Sequence, residues 1–277
     1  MLKKNSLVGL KLLICLLMIA WLHGYAQSAG AQQIVYPTNT LADPVNVQTA
    51  VNLGGTIILK ATNESGTPTP FYFGEPAKWL TAGDASNNAR RVAITKDVKI
   101  FGEKDINGNP LTKIIGGVWS FYSPLPASYP APDISIEGIH FDGAFYAPII
   151  MRYARGLKIA GNWITNVHPF ALSSAYTFPI DGSLQRIRIQ EGVHIGPLFL
   201  GAYVPGALTG LIEVSDNVID LTIENPYVPP SLGIPDHSPR NTFGEGIFAA
   251  GATGAKVIIS GNHVANCSRT QIEVFDT

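Results

Sequence analysis

Charge is scarce in this chain: Asp, Glu, Lys and Arg make up only 14% of its 277 residues, and the formal net charge is -1. Tracking a phosphate backbone takes clustered Lys and Arg, so no nucleic-acid partner is expected. Low charge also suits stacked strands, where like charges would repel from one coil to the next. Cysteine is scarcer still, with only Cys15 and Cys267. Cys15 lies in an apolar leader, and once that leader is removed Cys267 is the sole thiol. An internal disulfide framework is then excluded, and a cysteine-based metal site is not expected. Cys267 follows an apolar strand pattern and reads as a small packing residue. What the chain has in quantity is glycine (28), proline (20) and hydrophobic residues (46%). So many turn residues argue against a helical bundle, and the hydrophobic content is ample for a core held by packing alone.

The first residues read as an export signal. Lys3 and Lys4 precede an apolar run from Leu12 to Leu22, and Ala29-Gly30-Ala31 offers a small-x-small cleavage site before Gln32. The run is shorter than the roughly 20 residues needed to span a bilayer. Cys15 follows Ile14 and does not resemble a lipid-attachment cysteine. Residues 1–31 are therefore expected to be a signal peptide, with an uncleaved membrane anchor as the rival reading, and residues 32–277 the mature domain, secreted, periplasmic or at the cell surface.

An internal repeat decides the fold. Four stretches share one skeleton: ISIEGIHFDG from Ile134, LKIAGNWITN from Leu157, IEVSDNVIDL from Ile212 and VIISGNHVAN from Val257. A weaker copy, VKIFGEKD, begins at Val98. Aligned, the inward set is Ile134, Ile136, Phe141; Leu157, Ile159, Ile164; Ile212, Val214, Ile219; and Val257, Ile259, Val264. Alternation of period two predicts strands with one buried face. The Gly/Asp-Asn pair marks a bend, since Gly and Asn tolerate positive φ. Asn162, Asn217 and Asn262 fall in one column. Stacked coils would place them in a short ladder of side-chain amides that satisfies the backbone of the bend. Ile139 and Glu103 hold that position in the other copies.

Between the copies lie further strands: PIIMRY (148–153), QRIRIQ (185–190), EGIFAAG (245–251) and TQIEVFD (270–276). Long insertions separate the later copies, and in solenoids such insertions gather on one face. At the start, DPVNVQTAVN (43–52) reads as a short helix with Asp43 as its cap and Pro44 at its first position, followed by the strand GGTIILKA. That helix would close the first coil. No cap is visible after the last strand, so either the sequence continues beyond Thr277 or self-association covers the C-terminal edge. The expected fold is all-β, a right-handed parallel β-helix with a short N-terminal capping helix.

The helix-plus-GGTIIL opening, followed by I-x-I-x-G-N-x-I rungs, resembles the pectin-lyase-like superfamily of right-handed parallel β-helix proteins, from about Val45 onward. The resemblance implies a polysaccharide partner lying in a groove beside the first strand of each rung. Carried onto this chain, it places Arg152, Arg188, Phe248 and Glu273 on the outward side. Two arginines on neighbouring rungs suit an acidic sugar chain, because guanidinium pairs with carboxylate in a two-pronged fork. The loop from Asn225 to Gly246 carries Asp236, His237, Arg240 and Glu245, a set able to supply a base, a charge clamp and an acid. Arg152, Arg188 and His237 are thus the candidate catalytic residues, and Asp236, Arg240, Glu245 and Glu273 the candidate substrate-binding ones.

The residues leave the chemistry open. No Asp-Asp pair of the polygalacturonase kind appears, and the outward face shows too few carboxylates for a calcium-assisted lyase. No phosphate-cradling Gly-rich loop, H-E-x-x-H or G-x-S-x-G motif is present. Asn63-Glu64-Ser65 and Asn266-Cys267-Ser268 match the glycosylation pattern, which is common by chance. No metal site is assigned and the cofactor is left open. The expectation is a β-helix that acts on or binds an acidic polysaccharide as lyase or hydrolase, with a non-catalytic glycan-binding or structural role as the alternative.

Overall fold

The computed structural model describes residues 32–74, 91–125, 129–168, 170–177, 184–197, 204–221 and 242–275, with the backbone alone over 170–177, 184–189 and 242–243. Residues 1–31, read from the sequence as an export signal, lie outside the described residues. The described chain coils into a parallel β-helix of three sheets.

The first sheet takes β1 (Gln33–Val35), β2 (Gly55–Leu59), β5 (Val98–Gly102), β8 (Asp133–Glu137), β11 (Gly156–Ala160), β15 (Gly210–Ser215) and β18 (Ala255–Ser260), in that order. The second takes β4 (Val92–Ala93), β7 (Phe121–Ser123), β10 (Ile149–Met151), β14 (Leu184–Ile195), β17 (Thr242–Ala250) and β20 (Thr270–Phe275). The third takes β3 (Phe71–Tyr72), β6 (Thr112–Ile115), β9 (Ile139–Asp142), β12 (Trp163–Thr165), β16 (Val218–Asp220) and β19 (His263–Ala265). Pairing within each stack is parallel. The exception is β13 (Phe170–Thr177), which folds back antiparallel on the first half of β14.

The repeat sets the register. Leu157 lies level with Ile134 and Ile212, and Ile212 with Val257; Ile159 lies level with Ile136 and Val214, and Val214 with Ile259. These side chains share one continuous core with Phe141, Ile164 and Ile219, while Val257, Ile259 and Val264 pack against it half-buried on the last rung. Each fully buried aliphatic side chain contributes on the order of 2 kcal/mol. Phe121 links the second and third sheets across the interior, its ring 5.9 Å from that of Phe141.

The bend follows the repeat with one refinement. Gly138, Gly161, Asp216 and Gly261 hold it, with φ of 71°, 61°, 56° and 64°. The asparagine that follows does not supply positive φ. It forms the ladder instead: Asn162 N and Nδ2 both donate to Asn217 Oδ1 at 3.0 Å. Asn217 N and Nδ2 donate to Asn262 Oδ1 at 3.0 and 2.8 Å. At the lower end, Ile139 N donates to Asn162 Oδ1 at 3.0 Å, so the ladder has three members.

The N-terminal helix α1 (Asp43–Leu53) buries Val47, Ala50 and Val51 over the first coil. Pro44 stands in its first turn as expected, but Asp43 does not cap it: Ala42 is the N-cap residue and makes no side-chain bond. Asp43 is wholly buried, and its carboxylate accepts from Thr38 N, Thr38 Oγ1 and Tyr72 N at 2.7 to 2.8 Å. The carboxylate serves three donors outside the helix because packing holds the helix start against the first rung. Among the described residues no helix is long and apolar enough to cross a membrane.

Candidate functional site

The four strands read between the repeat copies, β10, β14, β17 and β20, stand side by side in the second sheet. Two of them carry the same local sequence, Glu191-Gly192-Val193-His194 and Glu245-Gly246-Ile247-Phe248, and these pair in register. Gly192 and Gly246 face the interior, where an added Cβ would collide with Ile219 and Val264 respectively. Val193 and Ile247 also enter the core. Each strand therefore bends after its glycine, and the residues flanking the two inward positions turn out together. Glu191 with His194, and Glu245 with Phe248, come to lie on the outer face.

The cluster that results is largely buried. The Glu191 carboxylate bonds His194 Nδ1, and His194 Nε2 lies 2.8 Å from the Pro197 carbonyl. A carbonyl only accepts, so Nε2 carries a hydrogen and Nδ1 is the atom facing the acid. The His194 ring stacks on Phe248, with centroids 4.9 Å apart. The aromatic row runs on through Tyr146 to Trp119 in one direction and to Phe275 in the other.

One rung further, Arg269 bridges Glu245 Oε1 at 2.5 Å and Glu273 Oε1 at 3.2 Å. Burial, first of all, pushes the Glu245 carboxyl up to about 8. The hydrogen bond with Glu273 and the charges of Glu191 and Glu273 add to the shift, and Arg269 opposes it. The Glu273 Oε2 atom is buried and, by hydrogen-bond geometry, unpaired among the described residues, so the Glu245 proton is the donor within the cluster that can serve this carboxyl. A proton retained on Glu245 is what allows two carboxyls to share this space. A carboxyl that holds its proton at neutral pH beside other carboxyl groups is an arrangement suited to proton transfer.

The sequence-selected residues fare differently. Glu245 and Glu273 come together through Arg269. Arg152 follows β10, its backbone N donating to Ser123 Oγ at 2.9 Å. Its half-buried guanidinium makes no ion pair with any described residue, its Nε has no partner, and burial lowers its pKa. Arg188 is not beside it: Met151 pairs with Ile195, seven residues beyond Arg188, so the two arginines stand on the order of 20 Å apart along the strand direction. Instead Arg188 lies opposite Ala171 in the antiparallel hairpin and level with Thr242. Asp236, His237 and Arg240 lie outside the described residues.

Glu191, His194 and Arg269 were missed. The signal was present in the repeated E-G-aliphatic-aromatic tetrad, which the strand QRIRIQ stops one residue short of. Cys267 packs half-buried against the core, and burial pushes its thiol up to about 11, an unreactive packing residue. Among the described residues no group of three or more His, Cys, Asp or Glu is disposed to hold a metal. Comparison with known protein families, with curated proteins and with solved structures finds no match.

Proposed function

We propose that this chain is a secreted β-helix protein of the pectin-lyase-like kind that binds and cleaves a polysaccharide on the outer face of its second sheet. The observation that carries this reading is Glu245: a buried carboxyl, protonated at neutral pH, between two further carboxylates on a solenoid face. Cleaving a glycosidic bond requires a proton on the departing oxygen, which Glu245 supplies, and a base, for which Glu191 or Glu273 stands ready. Arg152, which follows β10 and makes no ion pair with any described residue, favours an acidic glycan, whose carboxylate would neutralise it.

The test is incubation with uronic-acid polysaccharides, followed through unsaturated products and through reducing ends. The wild-type chain should release one or the other, and Glu245→Gln should lower the rate about 100-fold or more. Silence in both assays with glycan binding retained replaces cleavage by the non-catalytic reading. Silence without binding removes polysaccharide altogether.

Self-association through the last rung belongs to the same proposal. Ile272 and Val274 on β20 are 43% and 45% exposed, whereas their register partners Ile247 and Ala249 are wholly buried. A second copy that pairs with β18, β19 and β20 would cover both the apolar side chains and the open strand edges. Sedimentation velocity should show a dimer that Val274→Asp dissociates; a monomer at all concentrations counts against it.

A further inference from the structure

At the other end of the solenoid, β1, the outer side of α1 and the turn at Asn63–Ser65 enclose an open groove of about 650 Å³. That volume lies in the range of small-ligand sites. Ile34 and Tyr36 form an apolar strip on one wall, Asn46 and Thr49 face it from the helix, and Asn63 and Glu64 line the turn. Ile34, Asn46, Thr49 and Glu64 are exposed and Tyr36 is half-buried. The turn is held in shape from within: Asn63 Oδ1 accepts from Ser65 N, Ser65 Oγ and Thr67 N at 2.7 to 3.1 Å. Asn63 Nδ2 faces outward as a donor that makes no hydrogen bond with the described residues.

We propose that this groove is a binding site for a neutral oligosaccharide, separate from the carboxyl cluster and independent of it. A sugar ring presents a C–H face to an aromatic or aliphatic strip and hydroxyls to amides and carboxylates, which is the division of labour on these walls. Among the described residues Glu64 is the only charged side chain in the lining, and Lys60, the cation within electrostatic reach of Tyr36, is already paired with Glu103, so an acidic or phosphorylated ligand is disfavoured. An extended peptide is a poorer occupant. The free edge of β1 is three residues long and runs into Pro37 after Tyr36, and proline has no N–H to offer a partner strand.

The full chain is titrated calorimetrically with cellohexaose, xylohexaose, mannohexaose and maltohexaose, with hexagalacturonate as the charged comparator. At least one neutral hexasaccharide should bind with a Kd of about 10 μM to 1 mM. Asn46→Trp places an indole in the groove from an exposed helix position, and Glu64→Ala removes an acceptor from an exposed turn. Each should weaken binding at least tenfold with the melting temperature unchanged, while Glu245→Gln leaves binding as it was. Absence of binding by all four neutral sugars, full affinity in Asn46→Trp, or hexagalacturonate binding that Asn46→Trp and Glu64→Ala weaken overturns the proposal. Loss in Glu245→Gln alone would move the neutral-sugar site to the carboxyl cluster and equally overturn it.

Discussion

Replacing Asn217 with leucine should cost about 4 kcal/mol of stability, although the two side chains are nearly the same size. Asn217 is wholly buried in the middle of the ladder. Its Oδ1 takes two donors from Asn162, and its Nδ2 serves both Ile159 O, at 3.0 Å, and Asn262 Oδ1. Leucine fills the space but leaves Asn162 N without its acceptor and takes the Nδ2 donor from the Ile159 carbonyl, while Asn162 Nδ2 keeps only its bond to the Ile136 carbonyl. Each buried polar group stranded in this way costs about 1–3 kcal/mol, since it can no longer exchange its bond for water. Asn262, half-buried at the end of the ladder, should cost clearly less when changed to leucine. Urea unfolding followed by circular dichroism measures both, and a loss below about 1 kcal/mol for Asn217→Leu would show the ladder to be ornamental.

The second large effect is the pH dependence of stability contributed by Glu245. Its carboxyl titrates near 8 in the folded chain against an ordinary value of 4.5. Below 4.5 the carboxyl is protonated in both states, and its favourable contribution is fully present. Between 4.5 and 8 the unfolded chain has released the proton and the folded chain holds it, so stability falls as pH rises. The slope from this one group is at most about 1.4 kcal/mol per pH unit. Above 8 the folded state bears an ionised Glu245 beside Glu191 and Glu273, with Arg269 as the compensating cation among the described residues. Glu245→Gln keeps a neutral group there at every pH. Its unfolding midpoint should therefore decline less over this window and exceed that of the wild type at pH 9. Parallel midpoint curves for the two proteins from pH 5 to 9 would refute the shifted carboxyl and weaken the acid role built on it.

Both effects bear on how legible the chain was. The ladder was readable because Asn162, Asn217 and Asn262 occupy one column of a repeat, and stacking converts a column into contacts. The same reasoning did not reach Arg152 and Arg188. Arg188 sits on β14 and Arg152 just after β10, but β14 begins nine residues before the stretch that pairs with β10, in an antiparallel hairpin, and nothing in QRIRIQ fixes where along the strand that pairing falls. Glu245 was selected as part of a loop with Asp236, His237 and Arg240. It belongs to β17, and its chemistry comes from Glu191 and Glu273, each more than 25 residues away in sequence.

The sequence by itself determined the coil: aliphatic residues two apart, a residue able to take positive φ, then Asn, repeated often enough that only stacking buries the shared face. That information is local and periodic, so it survives whatever lengths the insertions take. Tertiary structure alone decided the charge state of the carboxyl cluster. A carboxyl holds its proton at neutral pH because of what is packed against it, and here the neighbours are brought to it by strand register across three rungs.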